Sequence, residues 1–128
     1  MSLLSTSAMM RRLLLVCVAI LAVGVACEEP PAKEPVARGR QVFRKLDCAR
    51  CHFIDGQGGH IGPDLTHVAT NAATRREGVS AADYIRQSIL DPGAYVVPGY
   101  NDVMPRGLAR NLPPSDLDAL VAYLLAHK

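Results

Sequence analysis

Cys48-Ala49-Arg50-Cys51-His52 is the stretch of this chain whose residue types and spacing point most directly to chemistry. Two thiols separated by two residues, with an imidazole directly after, form the attachment signature for a c-type haem. The thiols would add across the two vinyl groups as thioethers. Two intervening residues make a tight turn that brings both sulfurs to one edge of the ring, and His52 then falls beneath it as an iron ligand. Other cysteine chemistries compete for the same pentapeptide. A structural zinc site takes four Cys or His ligands; here the fourth would be His60, His67 or His127, because Cys17 and Cys27 fall in an apolar leader. A thioredoxin-like dithiol needs a βαβ setting, and no strand alternation flanks the motif. A plain Cys48–Cys51 disulfide is the third rival.

An iron that shuttles electrons has both axial positions filled. Of the four methionines, Met1, Met9 and Met10 belong to the leader, so Met104 is the one thioether left after it. A lone methionine ordinarily fills a core. Met104 instead precedes Pro105 in a loop far from His52, a setting from which it can fold across the opposite ring face. His60 and His67 are the competitors for a bis-histidine iron, although surface positions suit both. His127, near the end of the last helical segment, suits a contact with the helix dipole.

Three helical segments must position these groups. The first runs from Pro35 to Leu46, with Val36, Gly39, Phe43 and Leu46 near one face. Proline suits its start, and Gly39, which weakens a helix, marks a close approach by a neighbour. The second opens at Ser80-Ala81-Ala82-Asp83, a capping box with Asp in place of Glu, and Asp91-Pro92-Gly93 ends it. The third follows Pro113-Pro114, with Ser115 as its N-cap, Asp116 and Asp118 in the first turn, and an apolar stripe of Leu117, Leu120, Val121 and Leu124. Residues 55–63 and 92–114 are rich in Gly and Pro and read as ordered loops. No strand and no internal repeat is expected.

Ahead of these segments, Arg11 and Arg12 precede an apolar run from Leu13 to Ala26. The run is short of the roughly 20 residues that span a bilayer, and the pattern reads as a signal peptide over residues 1–26. Met9 or Met10 would serve as a start as well as Met1. Ala26-Cys27 resembles a bacterial lipoprotein processing site, with Gly24 where that pattern usually carries a larger aliphatic residue. Lipidation of Cys27 would supply the several acyl chains that stable anchoring takes; ordinary cleavage after Ala26 is the alternative. Residues 27–35 are a linker whose proline-rich, charged stretch, 28–35, is long enough in a polyproline conformation to hold a domain about 25 Å off a membrane.

The formal charge of +2 comes from Arg11 and Arg12 alone. From Cys27 onward, 12 basic side chains balance 12 acidic ones, which excludes the basic stripe of a nucleic-acid binder. That length is one domain with a thin core; there is no Trp, and Phe43 and Phe53 are the two phenyl rings. A porphyrin would add a large apolar plate to it.

Cys48 to His52, then Gly62-Pro63-Asp64-Leu65, then Met104-Pro105, resemble the class I monohaem cytochromes c in order and spacing. The segment with Gly39 and Phe43, and the one with Leu120 and Tyr123, look like that family's crossed terminal helices. The resemblance covers Val36 to Lys128. It implies a small all-α class I cytochrome c fold of three main helices around one covalent haem c. It also implies that the Pro63 carbonyl accepts a hydrogen bond from the far ring nitrogen of His52, which would fix the imidazole and raise its basicity. Tyr100 is implied as a partner for a propionate or a loop carbonyl. Residues 84–89 and 91–100 look closest to the cytochrome domain of subunit II in some bacterial haem-copper oxidases, whose copper-binding and membrane-spanning parts this chain lacks.

The function expected is one-electron transfer, without enzymatic turnover, by a His52/Met104-ligated cytochrome. It would sit in the bacterial periplasm, tethered through Cys27, between partners such as a quinol-oxidising complex and a terminal oxidase. Two alternatives stand beside it: an open-site haem protein acting as peroxidase or gas sensor, and a fixed subunit of a larger oxidoreductase. Only Lys33, Lys45 and Lys128 follow the leader, so the docking surface is expected to be apolar and not steered by a lysine ring.

Overall fold

The computed structural model describes residues 34–128. The leader at 1–26, the lipidation candidate Cys27 and nearly all of the 27–35 linker lie outside the described residues. Among the described residues four α-helices form: α1 Pro35–Lys45, α2 Val68–Arg75, α3 Ala81–Leu90 and α4 Pro114–Leu125. Single 3₁₀ turns occupy Cys48–Arg50 and Pro92–Ala94, and two two-residue strands pair as a hairpin, β1 Phe53–Ile54 with β2 Gln57–Gly58. None of these helices is long and apolar enough to cross a membrane.

Helix α1 begins with proline and buries Gly39, Val42 and Phe43. That face meets α4, which buries Leu117, Ala119, Leu120, Val121 and Leu124. The two backbones touch at Gly39. A Cβ there would lie 2.0 Å from the Ala119 carbonyl oxygen and 2.6 Å from the Tyr123 Cβ. Glycine costs about 1 kcal/mol inside a helix, and here the crossing requires it. Arg38 of α1 pairs with Asp116 in the first turn of α4, and Arg86 of α3 reaches Asp118 at 2.6 Å. The acids at the start of α4 therefore tie it to two neighbouring helices. The N-cap of α4 is Pro113, not Ser115, because the chain enters the helix two residues earlier than expected. The Ser115 hydroxyl instead accepts from the Arg38 guanidinium at 3.4 Å.

Helix α3 starts as its sequence predicts. The Ser80 hydroxyl accepts from the Asp83 amide at 3.1 Å and donates to the Asp83 carboxylate at 2.6 Å. Tyr84, Ile85 and Ile89 are its buried side, and Asp91 closes it with a 2.7 Å bond to the Gln87 carbonyl.

Two elements differ from expectation. Three helices were expected and the described residues hold four; the additional one, α2, is eight residues long and carries Thr70, Asn71 and Thr74, types that form helices poorly. Burial of Val68, Ala69 and Ala72 holds it in place. No strand was expected, yet Asp55 (φ 46°) and Gly56 (φ 84°) make a left-handed two-residue turn between β1 and β2. An Asp-Gly pair is the usual signal for such a hairpin. Otherwise the described residues are helices and ordered loops around one core, with Leu120 at its centre at 1% exposure.

Candidate functional site

The motif residues are set by the end of α1. Asp47 takes a left-handed conformation (φ 55°) and turns the chain out of the helix. The 3₁₀ turn then closes with bonds from Cys51 N–H and His52 N–H to the Cys48 carbonyl, at 3.2 and 3.0 Å. Both thiols are free, and burial pushes the Cys48 thiol up to about 11. Such a thiol stays protonated at neutral pH, unlike the depressed, thiolate-forming cysteines of redox enzymes.

Three glycines let the following chain fold back on the motif. A Cβ on Gly58 would lie 2.1 Å from the His52 carbonyl oxygen, and one on Gly59 2.3 Å from that of Arg50. At Gly62 the collision would be with the imidazole itself, 2.5 Å from its Cε1. The ring of His52 is thus seated against bare backbone. Its Nδ1 lies 2.7 Å from the Pro63 carbonyl oxygen. A carbonyl can only accept, so Nδ1 carries the proton and the Nε2 lone pair is left for a metal.

Cys48, Cys51 and His52 all line one cavity of about 350 Å³. Phe43 and Leu46 from the α1 end, Val68 of α2, Ile85 of α3 and Leu120 of α4 supply its apolar wall. Met104 lines the same cavity from the loop between α3 and α4, whose turns are held by Tyr100 N–H to the Val97 carbonyl (3.1 Å) and Val103 N–H to the Asn101 carbonyl (2.9 Å). Tyr100 also lines the cavity, at its mouth, where it is 38% exposed; Ile61 (58%) and Val103 (57%) lie there too.

The three remaining histidines lie elsewhere. His60 stacks on Phe53, with ring centroids 4.8 Å apart. His67 donates to the Lys128 main-chain oxygen at 2.7 Å. His127 stands 3.2 Å from the Asp55 carboxylate and edge-on to Tyr123. None of them lines the cavity, and among the described residues no group of three or more His, Cys, Asp or Glu side chains is placed to hold a metal. Two site features escaped the sequence reading: Gly62 as the seat of the imidazole, and the apolar rim of Ile61 and Val103. Gly62 was visible as a Gly-Pro pair, but its closeness to His52 is a property of the folded loop.

The donor set and the space fit a haem. Two free thiols and an imidazole with its Nε2 available share one apolar cavity with a thioether from a distant loop. A family model described as cytochrome c matches residues 36–128. No curated protein matches the chain.

Proposed function

Because the chain belongs to the cytochrome c family, we propose that its haem-based electron transfer is that of a His52/Met104-ligated one-electron carrier. The family assigns it a covalent haem c and a small all-α class I fold. Cys48 and Cys51 are the residues that hold the group through thioethers. Bound there, the haem supplies a one-electron ferric/ferrous couple, and histidine–methionine ligation raises its potential. The observation that carries the reading is the convergence of Cys48, Cys51, His52 and Met104 on one apolar cavity.

The chain's own residues do the rest. The Pro63 carbonyl orients the His52 ring and keeps its proton on Nδ1, which makes Nε2 the better donor. Met104, half-buried in a loop tied by backbone bonds, can stay in place through both oxidation states. The apolar wall excludes water and favours the less charged reduced form. His60 and His67 are engaged outside the cavity, which supports Met104 over a bis-histidine iron.

The mouth of the cavity is where a partner would dock. Ile61, Tyr100 and Val103 give it an apolar patch, the exposed Arg50, Asp47 and Asp64 around it carry both signs of charge, and the nearby Arg106 is matched by Asp102 at 2.6 Å. Partners of this kind are a quinol-oxidising complex as donor and a terminal oxidase as acceptor, in keeping with the likeness to oxidase subunit II domains. The site of action is the bacterial periplasm, with Cys27 as a lipid anchor. Mixing the reduced protein with bacterial membranes that hold both complexes tests this. Oxidation is expected at a rate that changes little with added salt. No oxidation, or a steep fall between low and physiological salt, would contradict the reading.

A further inference from the structure

His52 is held by the Pro63 carbonyl, so whatever holds Pro63 also sets the imidazole. Residues 62–66 run beside residues 51–55 through three bonds. Gly62 N–H donates to the Cys51 carbonyl at 2.9 Å and Leu65 N–H to the Phe53 carbonyl at 2.8 Å. Asp55 N–H donates to the Thr66 hydroxyl at 3.1 Å. The outer end of this short ladder is exposed at Asp55 and would fray if nothing closed it.

It is closed by His127 and Lys128. On one side the His127 ring reaches the Asp55 carboxylate at 3.2 Å. On the other, the His67 Nδ1–H donates to the Lys128 main-chain oxygen at 2.7 Å and the Ala69 N–H to the His127 carbonyl at 2.9 Å. The His127 ring also packs edge-on against Tyr123 of α4, with centroids 4.8 Å apart, and Tyr123 lies 5.4 Å from Phe43 of α1. We infer that the His127–Lys128 segment is a strap that carries the rigidity of the α1–α4 crossing to the Pro63 carbonyl, making His67, His127 and Asp55 positioning residues for the iron-binding His52. The inference rests on the reading of His52 as the iron ligand.

Its consequence is electronic. A firmly held Nδ1–H···O=C bond increases the basicity of Nε2, which favours the ferric state. Loosening the strap weakens that bond and favours the ferrous state. The test uses the full-length, haem-loaded protein. In His67→Leu/His127→Leu the ferric-to-ferrous ratio at a fixed ambient potential is expected to fall about threefold, an upward shift of about 28 mV at 59 mV per tenfold for one electron. The His52 ring N–H should exchange faster with solvent in the same variant. Ser80→Ala, which removes the cap of α3 and leaves the α1–α4 crossing and the strap intact, should lower thermal stability and leave both readouts unchanged. His67→Gln, which keeps a donor, should restore part of the shift. If the double variant does not accumulate, Asp55→Asn reads the same direction at smaller size. A variant that melts lower but keeps the parent potential and the parent His52 N–H exchange would overturn the strap. A parent protein whose own spectrum lacks histidine ligation would instead overturn the ligand assignment, before any variant is compared.

Discussion

At the scale of residues, the site depends on small groups that leave room as much as on those that bind. Cys48, Cys51 and His52 are legible because their chemistry is local: five consecutive residues fix two sulfurs and an imidazole on one turn. Gly62 is different. Its hydrogen is all that fits beside the imidazole, since a methyl would meet Cε1 at 2.5 Å and Nδ1 at 2.8 Å. Gly62→Ala should therefore push the ring off the Pro63 carbonyl without removing any ligand. The expected result is a haem-loaded protein with a raised midpoint potential and a lower melting temperature, read by redox titration and thermal unfolding. A parent-like potential would mean that the loop yields and the ring does not. His67 and His127 show where a sequence stops being informative about residues. Each was a candidate ligand or a dipole partner by position, and only the folded chain brings His67 to Lys128 and His127 to Asp55.

At the scale of elements, strong local signals placed the helices, missing the start of α4 by two residues, and weak ones were overridden by packing. The proline start of α1, the Ser80 cap of α3 and the apolar stripe of α4 all sit where their residues place them. Helix α2 was not legible, because its threonines and asparagine argue against a helix and only burial of Val68, Ala69 and Ala72 argues for one. The Asp55-Gly56 hairpin was legible in principle, but strands of two residues leave no alternation to notice. The crossing of α1 and α4 is the element contact that matters most, since both helices line the cavity. Gly39→Val would set side-chain carbon inside the Ala119 carbonyl. Overpacking of this kind costs about 1–3 kcal/mol, occasionally more. Chemical denaturation of the haem-loaded variant should show a loss at the upper end of that range or beyond, and a loss under about 1 kcal/mol would mean that the helices can separate cheaply.

At the scale of the whole molecule, the cavity opens into the core, so a bound haem would be part of that core. The described residues enclose a cavity of about 350 Å³ within a small domain that has one deeply buried phenyl ring, Phe43. Without the haem, that space leaves an apolar wall open to water, at about 25 cal/mol per Å² of apolar surface uncovered. A domain of this size has a stability of about 5–15 kcal/mol in all. The chain lacking haem, prepared as Cys48→Ala/Cys51→Ala, should therefore lose cooperative unfolding and native near-ultraviolet dichroism. A sharp transition near the parent temperature would show that the cavity collapses at little cost.

The proposed electron carrier stands on an iron held between His52 and Met104. The oxidised optical spectrum of the haem-loaded protein tests it most directly, through the weak far-red band that a methionine sulfur on ferric haem produces. The band should be present in the parent and absent in Met104→Ala. A parent spectrum that is low-spin without the band would put a histidine in place of Met104, a high-spin spectrum would leave the position open, and a band surviving in Met104→Ala would contradict the assignment outright.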